Sequence, residues 1–304
     1  MMAVHRQRDL VKKSLLTTGE IAAIEQLVAV VNRHDGLHVR FYRDLPLRAR
    51  TGNEFNNSLY YDDGRLVGYL SFWSLGVEER EMLVGLVHPA FRRQGIFRAL
   101  FEEARLEYRS QGAHKLVLIC ESNAPVGMAC ATALGGRYSF AEHDMELEHF
   151  QERFVFDDRL TFEEVGSSEI DKLVMVQARS FGDSEALVLL MVTKFLQEPQ
   201  EHFYLARFGE ADLGCREPVG VMRVRDAEGE NSIHAFGVLP DYRGRGYGRQ
   251  MLEEAIRCIR ARNQKPIALE VETTNRAAIR LYETCGFRIR TTYNYYIVDV
   301  HSLS

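Results

Sequence analysis

Five cysteines, Cys120, Cys130, Cys215, Cys258 and Cys285, occur with no CxxC pair and no spacing that suggests a zinc site. An odd, dispersed set of this kind excludes a disulfide framework and reads as reduced packing residues, so no metal is expected. No apolar run approaches the roughly 18–20 residues that a bilayer-spanning helix needs. The opening "MMAVHRQRDLVKKS" also lacks the apolar core of a secretory signal. No membrane partner and a cytoplasmic location are therefore expected. A basic excess is missing too: 38 Lys and Arg stand against 43 Asp and Glu, a net charge of -5. This removes the diffuse positive field of nonspecific nucleic-acid binding, so nucleic acid is not an expected partner.

What is present is ordinary globular composition, 46% hydrophobic and 27% charged over 304 residues, more than one compact domain usually holds. The segment "EMLVGLVHPAFRRQGIFRALFEEAR" matches "SIHAFGVLPDYRGRGYGRQMLEEAI". Val87 and Val238, Pro89 and Pro240, Gly95 and Gly246, and Gly135 and Gly286 are each 151 positions apart. A period this long marks duplicated domains and not a solenoid. The expected division is residues 1–150 and 151–304, with the boundary in "LEHFQERFVFDDRLTFEEVGSSE". That segment has no flexible linker composition, so the domains are expected to pack closely or share a strand.

Each half carries the same element pattern. A capped helix comes first, with Thr17 or Thr18 as cap in one half and Ser167 or Ser168 in the other. Antiparallel strands follow, turned at Asp63-Gly64 and at Glu228-Gly229. A helix then places Leu252, Ala255, Ile256 and Ile259 on one face, before a buried strand, a second helix and a last strand. The predicted class is α/β (α+β), two tandem domains each built on a mixed, mostly antiparallel sheet flanked by helices.

The stretch "PDYRGRGYGR" joins an apolar strand to the helix of Met251 to Ile259. Unpaired N–H groups at a helix start, with the helix dipole, form an anion site, and glycines let the anion approach. Arg243 and Arg245 add charge, although arginines here are also common as solvated residues. The glycines at 244, 246 and 248 do not satisfy GxGxxG, whose third glycine is Arg249, and no Lys-Ser/Thr pair completes a Walker A loop.

"GVLPDYRGRGYGRQML" with "ALEVETTNRAAIRLYETCGF" resembles the GNAT superfamily of acyl-CoA N-acyltransferases, whose loop reads Q/R-x-x-G-x-G/A. Arg243, Gly246 and Gly248 match those positions. The resemblance implies two GNAT domains, acetyl-CoA as co-substrate, and coenzyme contacts at Phe236, Val238, Arg243, Gly244, Arg245, Gly246, Tyr247, Gly248 and Asn275. It also implies that Tyr282 protonates the departing thiolate, with an N–H near Val238 for the oxyanion. On the residues alone, Tyr282 is a half-buried aromatic that needs a partner for its hydroxyl.

Glu270 interrupts an apolar strand, where burial of a carboxylate is costly unless it is paired or protonated. Glu272 shares its strand face, and both can instead face solvent. The pattern around Glu270 is similar to that of ribosomal-protein N-terminal acetyltransferases, which implies a general base with a pKa raised by desolvation. Cys258 and Cys285 have no local His partner and are not expected to act as nucleophiles. The aromatic-rich "TTYNYYIVDV" is a candidate wall for the acceptor, and an equally good ordinary strand.

The first half keeps Arg92 and Gly95 but has Phe97 for Gly248, Ala131 near the place of Tyr282, and Leu118 or Ile119 opposite Glu270. It reads as mainly structural or substrate-shaping, with Val87, Arg92, Arg93, Gln94, Gly95 and Ile96 as a candidate second cofactor site. Glu81 and Glu121 are its local carboxylates. The function expected is acetyl transfer from acetyl-CoA to a primary amine of a small molecule or peptide, by direct attack in a ternary complex. Alternatives are mycothiol-synthase-like acetylation of an amino-sugar conjugate and a non-catalytic acyl-CoA-binding regulator. The chain is expected to be a monomer or homodimer.

Overall fold

The computed structural model describes residues 7–39, 41, 57–74, 81–150, 157–209 and 216–301; Cys215 and the side chain of Glu81 lie outside the description. The first half runs β1 (Arg8–Lys13), α1 (Thr18–Asp35), β2 (Asn57–Asp62), β3 (Arg65–Ser74), β4 (Glu81–Val87), α2 (Ile96–Ser110), β5 (Lys115–Glu121), α3 (Pro125–Ala133) and β6 (Arg137–Leu147). The second runs β7 (Leu160–Val165), α4 (Ile170–Phe181), α5 (Glu185–Phe195), β8 (Glu201–Phe208), β9 (Glu217–Asp226), β10 (Asn231–Val238), α6 (Tyr247–Arg262), β11 (Ile267–Glu272), α7 (Arg276–Thr284) and β12 (Phe287–Asp299). The pattern α, antiparallel strands, α, β, α, β recurs as expected. Three elements were not anticipated: the partly exposed strands β1 and β7, whose charge in "RDLVKK" and "LTFEEV" hides their apolar alternation, and the second helix α5, which the first half lacks among its described residues.

Local chemistry accounts for the boundaries. Thr17 and Glu20 form a reciprocal capping box on α1, and Gly36 closes the helix at φ 65°. Asp63 and Gly64 both have positive φ, as a two-residue hairpin turn of this hand requires. Ser167 and Ser168 do not cap α4; they lie in a 3-10 turn, Ser167–Glu169, which moves the helix start to Ile170 with no side-chain cap.

Two compact units result, Met1–Ala141 with Thr291–Ser304, and Glu142–Arg290. In unit 1 the strand order is β1-β2-β3-β4-β5-β12, in unit 2 it is β6-β11-β10-β9-β8-β7. Each is antiparallel except for one parallel pair, β4 with β5 and β10 with β11. The division of the chain into compact units differs from the period of the repeat. Glu142 to Glu146 of β6 pair with β11 in unit 2, and Tyr293 to Asp299 of β12 pair with β5 in unit 1. Each repeat therefore gives part of its last strand to the sheet of the other.

In unit 2, Leu252, Ala255, Ile256 and Ile259 of α6 bury against Leu269, Val271, Ile279, Tyr282 and Phe287. The unit 1 core packs Leu100, Phe101, Ala104 and Tyr108 of α2 on β3 and β5, with Val298 and Val300 from the end of the chain. Burial of about 25 cal/mol per Å² of apolar surface is the main stabilising term in both.

After α7 the chain turns at Gly286, φ 101°. A Cβ there would overlap the His149 carbonyl oxygen, while the Gly286 carbonyl accepts the N–H groups of Glu148 (3.1 Å) and His149 (3.3 Å). Gly286→Ala is expected to destabilise the protein by about 3 kcal/mol through backbone strain and overlap. A thermal or urea melt unchanged within error would contradict the role given to this contact.

Candidate functional site

The site grows from the parallel pair in unit 2. β10 and β11 pair only from Asn231↔Ile267 to Ile233↔Leu269. Both strands continue, β10 along β9 to Val238 and β11 along β6 to Glu272, so they part. At the parting β10 carries a bulge: Ala235 and Phe236 together oppose one residue between Val221 and Arg223 of β9. Ala235 sits at φ 47°, and a bulge leaves the extra residue out of the hydrogen-bond ladder.

The three glycines of the following loop have different duties. Gly244 (φ 74°) and Gly246 (φ 86°) provide left-handed backbone for the turn. Gly248, inside the first turn of α6, faces a space bounded by Leu281, Phe236 and Val238, none nearer than 3.4 Å to where a Cβ would stand. No side chain caps α6, and Gln250 N–H to Gly246 O (3.1 Å) is the first helical bond. The N–H groups of Tyr247, Gly248 and Arg249 thus stay open toward an anion. The Tyr247 ring is buried and its hydroxyl meets Asp157 (3.3 Å), so only its backbone can serve such a ligand.

Arg243 donates from Nε to the Val238 carbonyl (2.9 Å) and from Nη2 to the Ser180 carbonyl (2.7 Å). It has no carboxylate partner among the described residues and keeps its full charge beside the open N–H groups. Arg245 turns away: it donates to the Asp241 carbonyl (2.9 Å), lies over Tyr242, and lines a cavity of about 590 Å³ with Met175 and Leu239. Asn275 caps α7 through the Ala278 N–H (3.1 Å) and is exposed.

Tyr282 is 6% exposed, with its ring centroid 6.1 Å from those of Phe236 and Phe287. Its hydroxyl has no hydrogen-bond partner among the described residues. Burial pushes the phenol well above its ordinary range, so it carries its proton at any physiological pH. Glu270 corrects an expectation. Ile267, Leu269 and Val271 face the helices, so Glu270 and Glu272 alternate to the opposite face and are exposed. Glu270 thus takes the solvent-facing alternative and not the buried one. Directly across the ladder stands Asp144, buried and held by Arg290 at 2.8 and 3.2 Å. Burial raises the Cys258 thiol and pushes that of Cys120 up to about 11, which disfavours the nucleophilic thiolate at both.

Unit 1 repeats the scaffold and loses the opening. The Val67 and Val219 carbonyls accept from His88 and Leu239, both at 2.8 Å, and Arg92 Nε donates to the Val87 carbonyl as Arg243 does to that of Val238. Arg92, however, also forms a two-bond ion pair with Asp35, which offsets its field; the last residue of the matching helix α4 is Phe181. Gln94 is engaged by Arg8 (2.6 Å), and Arg93 takes φ 61° where the other loop has Gly244. β4 pairs with β3 without a bulge. Phe97 Cε2 stands 2.5 Å from where a Cβ of Gly85 would be. Gly85 and Phe97 lie 151 positions before Phe236 and Gly248, so a ring and a glycine have changed places between strand and helix. Val87 and Ile96 hold their expected places at the strand end and helix start. Glu121 is buried and accepts from the His38 N–H and Thr291 Oγ1 (3.2 Å).

Aligning the halves position by position could have revealed the exchange of Phe97 and Gly248 with Gly85 and Phe236. Nothing in the string reveals the bulge, or the approach of Ser180 to it.

A mostly antiparallel sheet whose one parallel pair parts beside a glycine-rich helix start is the arrangement that comparison with known proteins places in a family. The family model described as "Acetyltransferase (GNAT) family" matches residues 30–135 and 170–287. The chain belongs to this family, with one match in each half, and is an acyltransferase. It is 28% identical over 290 residues to a mycothiol acetyltransferase of Kineococcus radiotolerans, covering 87% of this chain and 88% of that one. It is 37% identical over 106 residues to N-alpha-acetyltransferase RimI of Mycobacterium tuberculosis, covering 34% of this chain and 63% of that one. In fold it is similar to a GCN5-related N-acetyltransferase from Sphaerobacter thermophilus, with TM-score 0.78, 18% identity and 97% and 96% of the two chains covered. A tandem GNAT protein from the clavulanic acid biosynthesis pathway gives TM-score 0.72 at 15% identity, with 98% and 100% covered.

Wild-type protein is expected to bind one equivalent of acetyl-CoA by calorimetry, and Gly248→Trp none, because the indole would fill the space between Phe236 and Leu281. An equivalent retained by the variant would place a coenzyme site in unit 1, despite Phe97 and the Asp35–Arg92 pair.

Proposed function

We propose that unit 2 transfers an acetyl group from acetyl-CoA to the primary amine of a small molecule, and that unit 1 is mainly structural or shapes the substrate site. The observation that carries this is the asymmetry of the two loops. Open N–H groups, an uncompensated Arg243 and a bare Gly248 occur together only in unit 2.

The residues fit the coenzyme. The first-turn N–H groups of α6 would hold its diphosphate with help from the helix dipole and Arg243. The parted strands β10 and β11 would receive the arm, with Phe236 and Val238 beside it. When bound, acetyl-CoA supplies an activated acetyl group. Tyr282, kept protonated by burial, approaches from the face of α6 and α7 and holds a proton for the leaving sulfur. Glu270 lies on the other face of β11 and accepts a proton from the incoming amine, directly or through water. Its exposure gives it an open supply of water for that transfer. An N–H near Val238 stabilises negative charge on the acyl oxygen.

The acceptor is read from the relatives. Those that span nearly the whole chain bear the name mycothiol acetyltransferase, whereas the RimI likeness covers a third of it. This favours an amino-sugar conjugate over a peptide N-terminus. A non-catalytic acyl-CoA binder is the second reading, and turnover separates the two.

Release of free thiol from acetyl-CoA, followed against a panel of amines that includes amino-sugar conjugates, tests the proposal. No amine-dependent release would leave only the binding module. Tyr282→Phe is expected to lower kcat at least about tenfold with KM for acetyl-CoA little changed, the mark of a group used in the transition state. Because the Tyr282 pKa is raised, its acid form persists on the alkaline side. Wild-type kcat should therefore rise or stay level from pH 7 to about pH 9.5. A fall centred below pH 9 would remove Tyr282 as the acid.

A further inference from the structure

We propose that the Ser180 hydroxyl donates a hydrogen bond to the acyl oxygen of the bound acyl-thioester, beside the β10 bulge, and so discriminates acylated coenzyme from its free thiol. This inference rests on the acetyl-transfer reading of unit 2 and adds a residue to it.

Ser180 lies in the last turn of α4, and its Oγ is shielded from solvent with no hydrogen-bond partner among the described residues. Leaving a buried hydroxyl unsatisfied is unfavourable, and such groups are few in native proteins, so each calls for a reason. The place supplies one. Ser180 Cβ and Oγ stand 2.7 and 3.1 Å from where a Cβ of Gly237 would be, at the residue that ends the bulge. Gly237 is glycine because a side chain there would displace Ser180.

The hydroxyl thus sits beside the bulge of β10, where the ladder with β9 is interrupted and the extra residue is left unpaired in it. Two donors beside the parted strands call for one shared acceptor without a proton of its own. A thioester carbonyl oxygen is such a group; a free thiol is not. Phe181 Cε2 lies 3.0 Å from the same point on Gly237, and the ring is 51% exposed, so it has room to turn outward as an acyl oxygen reaches Ser180. The Ser180 carbonyl accepts from Arg243 (2.7 Å), which ties the position of the hydroxyl to the loop that receives the phosphates.

Calorimetric titration of acetyl-CoA and of CoA into wild type and Ser180→Ala tests this. The variant is expected to bind acetyl-CoA about fivefold more weakly, as for the loss of one neutral hydrogen bond, and CoA with unchanged affinity. Ligand-free Ser180→Ala should melt no lower than wild type, since no bond is lost. Equal effects on the two ligands, no effect on either, or a lower melting temperature without ligand would overturn the proposal and make Ser180 a packing residue. Wild type that binds neither ligand would overturn the acetyl-CoA reading itself, and this inference with it.

Discussion

Everything in the candidate site depends on two neighbouring parallel strands that stop bonding to each other after three residue pairs. Strands that part leave backbone groups without partners, and such groups must be satisfied from elsewhere. Here β9 and β6 keep the outer sides of β10 and β11 paired. Beyond the third pair the inner sides no longer bond to each other. The helix start, the aromatic wall and the two candidate proton-transfer groups are all placed relative to that gap.

The same gap occurs in unit 1, where β4 and β5 also stay paired for three residues. Duplication therefore preserved the constraint and changed what surrounds it. Asp35 offsets the field of Arg92, Phe97 stands against Gly85, and β4 runs without a bulge. Each change is local and needs few substitutions. The shared scaffold of carbonyls at Val67, Val87, Val219 and Val238 continues to hold both loops. Unit 1 remains a well-packed half of the protein while its loop loses the features that favour an anion.

Exchange of the last strands makes the two halves depend on each other in sequence as well as in ancestry. Residues 291–299 finish a sheet begun nearly three hundred positions earlier, and Thr291 bonds the buried Glu121. A carboxylate that looked available in the string is held in place by the far end of the chain. Glu270 shows the reverse. It looked like a buried charge in "IALEV", yet strand alternation places it on the face away from α6 and α7, exposed to water.

The sequence by itself determined the duplication, the element order, the helix faces and the glycine loop. Each is written in local periodicity, in turn chemistry at Asp63-Gly64, or in a match between residues 151 apart. Tertiary structure decided which strand completes which sheet, that β10 bulges at Ala235 and Phe236, that Arg92 meets a carboxylate while Arg243 meets none among the described residues, and that the Ser180 hydroxyl lies against Gly237 with no partner among them. These depend on contacts between residues far apart in the chain. No local pattern encodes them, because pairing, neutralisation and burial belong to the surroundings a side chain finds after folding.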